Sequence, residues 1–234
     1  MRLASFRITP FLRTSTSMSF CKNCISGVRH EGTAEGTYEQ INGIKTYVAT
    51  PKTDYPKDKA ILFLTDVFGL ELNNNLGSNF DINKWFPKHT AGHTGKRVRT
   101  VIEELKSKGI TVFGATGFCY GARLVFDLAF ENIIRVSVVS HPSLLKPEDL
   151  DTYLTKSKAP LLINSCEIDA QFPKEFAATT DEKFAKFEPG YKRTYWAGCS
   201  HGFAVRGDPK NPVVVAAKEG AFKASVEWFI NYLK

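Results

Sequence analysis

A cysteine lies between two glycines in the stretch "GATGFCYGAR" (114–123), directly after an apolar run that is typical of a β-strand. Gly117, Cys119 and Gly121 have the spacing G-x-C-x-G, the cysteine form of a nucleophile elbow between a strand and a helix. The small residues make room for the sharp turn, and the N-terminus of the following helix favours a thiolate over a thiol. The pattern predicts a reactive Cys119; the alternative is a buried structural cysteine beside two glycines.

A nucleophile of this kind needs a base, and the base needs a group that orients it. Asp169 follows the apolar run "PLLINS", and His201 follows the strand-like run "YKRTYWA". Asp169 comes 50 residues after Cys119, and His201 comes 32 residues after Asp169. The order nucleophile, acid, histidine, each beyond a strand, is that of α/β-hydrolases. The alternative for His201 is a histidine of a surface loop.

The elements that must position these residues are indicated by their apolar patterns. Two β-prone runs flank Asn42-Gly43 and predict a hairpin within 38–49. The continuous apolar run over 60–70 predicts a strand that is buried on both faces of a parallel sheet.

Helices and strands then alternate to the end of the chain. A helix is predicted over 94–109, with Thr94 as N-cap and Gly109 as its C-terminal stop. The later segments are a strand over 110–118, a helix over 122–130, strands over 135–140 and 159–165, a helix around Phe184, a strand over 191–197 and a helix over 213–233. Strands separated by helices predict a single α/β domain, in which a mostly parallel sheet has helices on both faces.

With these residues in place, the chain resembles the dienelactone hydrolase family of cysteine-dependent α/β-hydrolases. The matching stretches are "LTDVFGL", "GATGFCYGAR", "SHPS", "CEIDAQFP" and "GCSHGFAVRGD", and the last is most similar to fungal and other eukaryotic members. With their flanking strands they extend over most of residues 31–234. The resemblance implies an α/β-hydrolase fold that cleaves a small ester or lactone, with Cys119 as nucleophile, His201 as base and Asp169 as the orienting acid.

The same resemblance implies further site residues. The backbone N–H groups of Tyr120 and Val67 would hold the oxyanion. Asp66 matches a family acid near the resting thiol, where bacterial members have the longer glutamate. Arg206 matches a family arginine region that binds the substrate carboxylate, so an anionic substrate is expected. From the residues alone, the alternatives are a loop-capping aspartate and a solvent-facing arginine.

No metal or organic cofactor is implied. His89 and His93 could face one way on a helix, but the small and polar residues of 90–94 predict a loop there, which argues against a metal site.

The chain departs from this family after "DVFGL". A helix and a further internal strand are expected there, next to the strand that ends near Asp66. The stretch between Leu70 and the helix at 94–109 contains no second apolar run of strand length. We therefore expect one helix–strand unit of roughly 30 residues to be missing. A splice variant, a gene-model error and a real deletion are the possible origins. Loss of the internal strand would leave backbone N–H and C=O groups of its two neighbouring strands unpaired, or force those strands to pair anew.

The N-terminal residues differ in composition from the rest. Residues 1–30 are expected to be an N-terminal extension of the α/β-hydrolase domain over 31–234. The first 17 residues contain three arginines and no acid, as mitochondrial presequences do; the alternatives are a disordered tail or an upstream start codon before Met18. Cys21 and Cys24 form an isolated CxxC without two further metal ligands at matching spacing.

Charge and cysteine content limit the classes of partner. The net charge is +7, and without the three N-terminal arginines it is +4, too little to indicate nucleic-acid binding. No apolar run is long enough to cross a membrane. Five cysteines and no secretory signal predict a reduced protein of the cytoplasm or mitochondrion. The partner expected is thus a small-molecule substrate.

Two other functions stay open at this level. The missing unit allows a non-catalytic remnant or splice isoform of such a hydrolase. Cys119 without acyl chemistry would suit a redox-sensing thiol, although the order of the three residues argues against this.

Overall fold

The computed structural model of the protein describes residues 35–70 and 81–234, which form two β-sheets and the helices packed on the larger one. In the smaller sheet, β1 (Thr37–Ile41) pairs antiparallel with β2 (Ile44–Val48). Asn42 and Gly43 both have positive φ in the turn, as the predicted hairpin requires. The predictions for residues 1–30, including Cys21 and Cys24, lie outside the described residues.

Five parallel strands form the main sheet in the order β3-β4-β5-β6-β7. They are β3 (Lys59–Leu64), β4 (Val112–Phe118), β5 (Val136–Ser140), β6 (Leu161–Ile168) and β7 (Tyr191–Ser200). Because all five strands run in one direction, the loops at their carboxyl ends share one edge of the sheet, where ligands bind in open α/β folds.

Helices cover both faces of this sheet, as predicted. They are α1 (Ile82–Trp85), α2 (Ala91–Ser107), α3 (Gly121–Phe130), α4 (Pro147–Lys156), α5 (Lys174–Phe184), α6 (Phe203–Arg206) and α7 (Pro212–Tyr232), with a 3₁₀ turn at Phe86–Lys88. Residues of α2 to α5 pack in the largest core cluster, whereas α7 packs on the opposite face against β5, β6 and β7. None of the described helices is long and apolar enough to cross a membrane.

The strand β3 differs from its prediction. It ends at Leu64 and lies at the edge of the sheet, where it pairs with β4 alone among the described strands. Burial on both faces, predicted for 60–70, is wrong: Phe63 is 61% exposed and Ile61 is 39% exposed. The physical reason is that Ile61 and Phe63 lie on the face of β3 that α7 leaves open, whereas Leu62 and Leu64 pack on the largest core cluster. An open face and an unpaired outer edge are the arrangement that loss of an adjacent helix–strand unit would leave.

The start of α2 also differs from its prediction. The helix begins at Ala91, and the Thr90 side chain accepts a hydrogen bond from the N–H of His93. The predicted N-cap at Thr94 and the predicted loop over 90–94 are therefore wrong, because a capping hydroxyl one turn earlier offsets the weak helix propensity of glycine. The stop is as predicted: Gly109, with φ +91°, follows the last turn.

An apolar groove of about 670 Å³ lies between the exposed face of β3 and helix α7. Its most exposed apolar side chains are Phe63 of β3 and Phe222 and Ile230 of α7. The groove thus lies on the outer part of the sheet, where α7 leaves β3 uncovered.

Candidate active site

The turn between β4 and α3 has the shape of a nucleophile elbow. Cys119 has φ +50°, a strained value for a residue with a side chain. A Cβ on Gly121 would lie 1.9 Å from the carbonyl oxygen of Leu64, and one on Gly117 would lie 2.5 Å from the carbonyl oxygen of Gly121. The G-x-C-x-G spacing is explained by these close approaches, which only glycine permits.

Cys119, His201 and Asp169 lie together at the carboxyl edge of the sheet. His201 follows β7 and its Nδ1 lies 2.9 Å from Oδ1 of Asp169, which follows β6. The hydroxyl oxygen of Ser143 lies 3.5 Å from Nε2 of the same histidine and 3.3 Å from the sulfur of Cys119. A continuous series of short contacts therefore joins the sulfur to the carboxylate.

The carboxylate of Asp169 is held by its own loop. Its Oδ1 accepts hydrogen bonds from the N–H groups of Gln171 and Phe172, at 2.8 and 3.2 Å. The side chains of Asp169 and His201 are 1% and 0% exposed. The carboxylate oxygen held in this way can accept the Nδ1 hydrogen of His201, which leaves Nε2 as the acceptor nitrogen of the ring.

Two residues near the site were missed as site residues by the sequence analysis. Ser143 and His141 belong to the "SHPS" stretch that follows β5, and both are fully buried. The available signal was their position: polar side chains directly after a fully buried strand of a parallel sheet lie at the same edge as the other three residues.

His141 is an unusual buried histidine. It has φ +38°, and neither ring nitrogen has a hydrogen-bond partner in the described part of the chain. Its ring packs against His201 and Phe203, with centroids 5.0 and 5.7 Å away. Burial is the main cause that holds the pKa of His141 well below its usual range, and the neighbouring His201 and Arg206 act in the same direction. His141 is therefore neutral at neutral pH.

The two N–H groups expected to form an oxyanion hole are available. Neither the N–H of Tyr120 nor that of Val67 donates a hydrogen bond to another described residue. The segment that contains Val67 packs on the elbow, because the carbonyl of Leu64 lies against Gly121. Tyr120 is the residue that precedes helix α3, where the helix dipole favours a negative charge.

Asp66 and Arg206 form a buried ion pair with each other. Nε of Arg206 donates to Oδ2 of Asp66 at 2.5 Å, and each side chain is 7% exposed. The other carboxylate oxygen of Asp66 accepts from the N–H of Phe68, so the loop-capping role holds as well. The alternative of a solvent-facing arginine is wrong, because the guanidinium pairs with this carboxylate and lies over the ring of Phe68.

The sulfur of Cys119 is closed off from solvent, since the residue has no exposed surface. The neighbouring Tyr120 is covered by the segment before α2: its hydroxyl donates to the carbonyl of His89 at 2.5 Å, and its ring contacts Trp85. A molecule from solvent could therefore contact the sulfur only if covering side chains moved.

His89 takes part in this cover. Its Nδ1 lies 2.8 Å from the carbonyl oxygen of Trp85, and the rings of His89 and Trp85 stack with their centroids 4.1 Å apart.

Within residues 35–70 and 81–234, no group of three or more side chains is arranged to bind a metal ion.

Comparison with known proteins identifies a family. The model of the dienelactone hydrolase family matches residues 78–233. The chain is 29% identical to the hydrolase pyvD of Aspergillus violaceofuscus, over 94% of this chain and 99% of that protein. It is 27% identical to dienlactone hydrolase 1 of Gibberella moniliformis, over 90% and 93% of the two chains. A carboxymethylenebutenolidase homolog of Xenopus tropicalis is 24% identical over 90% of this chain.

The first of these alignments is longer than the chain itself. It spans 252 positions, whereas 94% of 234 residues is about 220, so about 32 positions have no residue of this chain opposite them. That length agrees with the one helix–strand unit that we expect to be missing.

Solved structures show the same fold. A protein from Klebsiella pneumoniae assigned as a dienelactone hydrolase superposes with a TM-score of 0.66, at 16% identity, over 84% of this chain and 98% of its own. A dienelactone hydrolase-like promiscuous phosphotriesterase from metagenomic libraries has a TM-score of 0.59, at 15% identity, over 78% and 89% of the two chains. The fold is therefore that of α/β-hydrolases, as predicted.

Proposed function

Because this chain belongs to the dienelactone hydrolase family and is a hydrolase that acts on esters or lactones, we propose that it cleaves a small ester or lactone with a Cys119–His201–Asp169 triad. The observation that supports this most is the 2.9 Å contact between His201 and Asp169, with Ser143 between the histidine and the sulfur. A nucleophile, a base and an oriented acid in contact are what acyl transfer through a covalent intermediate requires.

In the first half of the proposed reaction, the proton of the Cys119 thiol passes to His201. The thiolate attacks the carbonyl carbon, and the carbonyl oxygen becomes an oxyanion that the N–H groups of Tyr120 and Val67 stabilise. When the intermediate collapses, the bond to the alcohol oxygen breaks and His201 returns its proton to that oxygen. The products of this half are a thioester on Cys119 and the alcohol group of the substrate.

In the second half, His201 removes a proton from water, which attacks the thioester. The oxyanion forms again in the same place, and the bond between carbon and sulfur breaks as the proton returns to Cys119. Asp169 keeps the Nδ1 proton of His201 in place and stabilises the imidazolium in both halves. The net reaction consumes one water molecule and yields the carboxylic acid.

An anionic substrate belongs to the same proposal. The guanidinium of Arg206 lies beside Gly202, the residue that follows His201, and it forms an ion pair with Asp66. Asp66 directly precedes Val67 in the chain, and we assign the N–H group of Val67 to the oxyanion hole. A substrate carboxylate that approaches this region would compete with Asp66 for the guanidinium, which binds carboxylates well.

The test is hydrolysis of p-nitrophenyl acetate by Cys119→Ala, with Cys199→Ala as the matched control. Both replacements remove a fully buried free thiol, but only the first removes the thiol next to Ser143 and His201. We expect no turnover by Cys119→Ala and turnover near that of the wild type by Cys199→Ala, with both variants folded by circular dichroism. Equal turnover by the two variants contradicts the proposal.

A non-catalytic protein is the second candidate, and the complete burial of Cys119 is the observation that favours it. In that case the wild-type protein would be monodisperse and folded, would not hydrolyse activated esters, and would not be labelled at Cys119 by a thiol-reactive ester analogue. Labelling at Cys119 together with turnover rejects this candidate.

A further inference from the structure

We propose that the hydroxyl group of Ser143 carries the proton between Cys119 and His201, an inference that rests on the proposed function and deepens it. The Ser143 oxygen lies 3.3 Å from the sulfur and 3.5 Å from Nε2. These are the donor atom and the acceptor atom of the first proton transfer. The hydroxyl is thus in contact with both ends of that step.

The position of this hydroxyl is determined by the backbone. The N–H of Ser143 donates to the carbonyl of Cys119, and the N–H of Cys119 donates to the carbonyl of Ser140, both at 3.1 Å. The elbow and the segment after β5 are therefore joined by two hydrogen bonds that enclose the serine. Since Ser143 is fully buried, bulk water does not compete for its hydroxyl.

The donors and acceptors at this site fit a relay that moves a proton from Cys119 through Ser143 to His201. Nδ1 of His201 donates to Asp169, so Nε2 presents a lone pair. The serine hydroxyl donates its single hydrogen to that lone pair and accepts the hydrogen of the thiol. When the S–H bond of Cys119 breaks, its proton forms a new O–H bond on Ser143, and the original hydroxyl proton moves to Nε2. Serine is regenerated, and a thiolate and an imidazolium result.

The charged and titratable groups around the relay come from three loops and from helix α6. Asp169 contacts His201 from the loop after β6, and His141 contacts it from the segment after β5. The ion pair adds a negative charge from Asp66, in the loop after β3, and a positive charge from Arg206, at the end of α6. These groups are unchanged by replacement of a neutral serine, so a pH effect of that replacement reports on the hydroxyl.

The test measures the ultraviolet absorbance of the Cys119 thiolate against pH. The signal of Cys119 is the absorbance of each protein minus the absorbance of the same protein with Cys119→Ala. This measurement requires neither a substrate nor a reagent that reaches the buried sulfur. In Ser143→Ala we expect the midpoint of this signal to move up by about one pH unit, because the thiolate loses the hydrogen bond that the serine hydroxyl donates to it. The value of kcat/KM for p-nitrophenyl acetate should fall by about tenfold or more.

Two further variants make the test specific. Ser143→Thr keeps a hydroxyl and should restore the wild-type midpoint. Ser137→Ala removes another buried hydroxyl of β5, which accepts from Tyr153 away from the sulfur, and should leave the midpoint unchanged.

The relay is overturned if Ser143→Ala keeps the wild-type midpoint, or if folded Ser143→Thr behaves like Ser143→Ala. A shifted midpoint in a protein whose wild type hydrolyses no ester would support the relay and contradict the proposed function. An unshifted midpoint in Ser143→Ala, with wild-type turnover that depends on Cys119, would contradict the relay and support the proposed function.

Discussion

At the residue scale, the role proposed for Asp169 is to keep His201 in one tautomer. Its carboxylate accepts from Nδ1 and from two backbone N–H groups, and its side chain is almost completely buried. An amide at this position has the same shape but can present an N–H instead of an acceptor oxygen. The histidine would then keep its proton on Nε2, where it could not accept one from the relay.

We therefore expect Asp169→Asn to lower kcat for p-nitrophenyl acetate by at least about a hundredfold, with a much smaller change in KM. Steady-state kinetics of the purified variant measure this. Asp181→Asn is the matched control, since Asp181 is also held by hydrogen bonds, from Tyr191 and Arg193, in another part of the structure. A kcat for Asp169→Asn within a few-fold of the control would contradict the assigned role.

The second residue-scale feature is the neutral, fully buried His141. Its pKa is lowered in the folded protein, so below about pH 6.5 the unfolded chain binds a proton here that the folded chain does not. Stability therefore rises with pH across this window, and it is lost as the pH falls below the unfolded value.

His141→Phe removes this proton linkage and keeps an aromatic ring of similar size. Between about pH 6.5 and pH 5 the wild-type free energy of unfolding should fall more steeply than that of the variant, by up to about 1.4 kcal/mol per pH unit. Urea unfolding at several pH values measures both slopes, and His93→Gln, at an exposed histidine, is the control. Parallel curves for wild type and His141→Phe would show that His141 titrates alike in both states.

At the scale of elements, the elbow depends on a close contact between β3 and α3. The carbonyl of Leu64 occupies the space that a side chain on Gly121 would need. This contact also brings the loop with Val67 to the N-terminus of α3, so the glycine serves both the fold and the proposed oxyanion site.

Gly121→Ala should lower the free energy of unfolding by about 4 kcal/mol or more, because backbone atoms at 1.9 Å have to move apart. Gly92→Ala, in the first turn of α2, has nothing within 4 Å of the added Cβ and should change stability little or raise it by about 0.5–1 kcal/mol. Urea unfolding of both variants tests the contact. Similar stabilities would mean that the elbow tolerates a side chain at position 121.

Local patterns account for the elements and residues that were predictable. The spacing around Cys119 and the positions of Asp169 and His201 after strands are short-range signals, and the structure brings these three residues together. The edge position of β3 was not predictable from its apolar run, because burial of a strand depends on its neighbours. The contact of Ser143 with the sulfur depends on how two loops meet, which no spacing along the chain encodes.

At the scale of the whole molecule, the exposed edge of β3 and the groove against α7 have a common explanation. The alignment with pyvD leaves about 32 positions without a residue of this chain, and the sequence has no second apolar run of strand length between Leu70 and α2, where we expect a helix–strand unit to be missing. A strand beside β3 and a helix over it would cover Ile61 and Phe63. The remaining sheet of five strands still carries all the residues of the proposed triad.

This exposed apolar surface should bind a hydrophobic dye. We expect the fluorescence of 1-anilinonaphthalene-8-sulfonate with the folded protein to fall several-fold when Phe63→Thr, Phe222→Lys and Ile230→Lys are combined, since each of these residues is more than 60% exposed in the groove. The matched control combines Tyr38→Thr, Ile168→Thr and Tyr195→Thr, which are exposed apolar residues outside the groove. An equal decrease in the two triple variants would show that the groove is not the binding surface.

The central claim, acyl transfer through Cys119, is tested most directly by mass spectrometry of the acylated protein. The protein is mixed with p-nitrophenyl acetate, quenched in acid during turnover, digested and mapped. The account predicts one acetyl group as a thioester on the peptide with Cys119, and none in Cys119→Ala. Turnover with the acetyl group on Ser143, Cys166 or Cys199 instead, or with no acyl intermediate on Cys119 at any quench time, would contradict it.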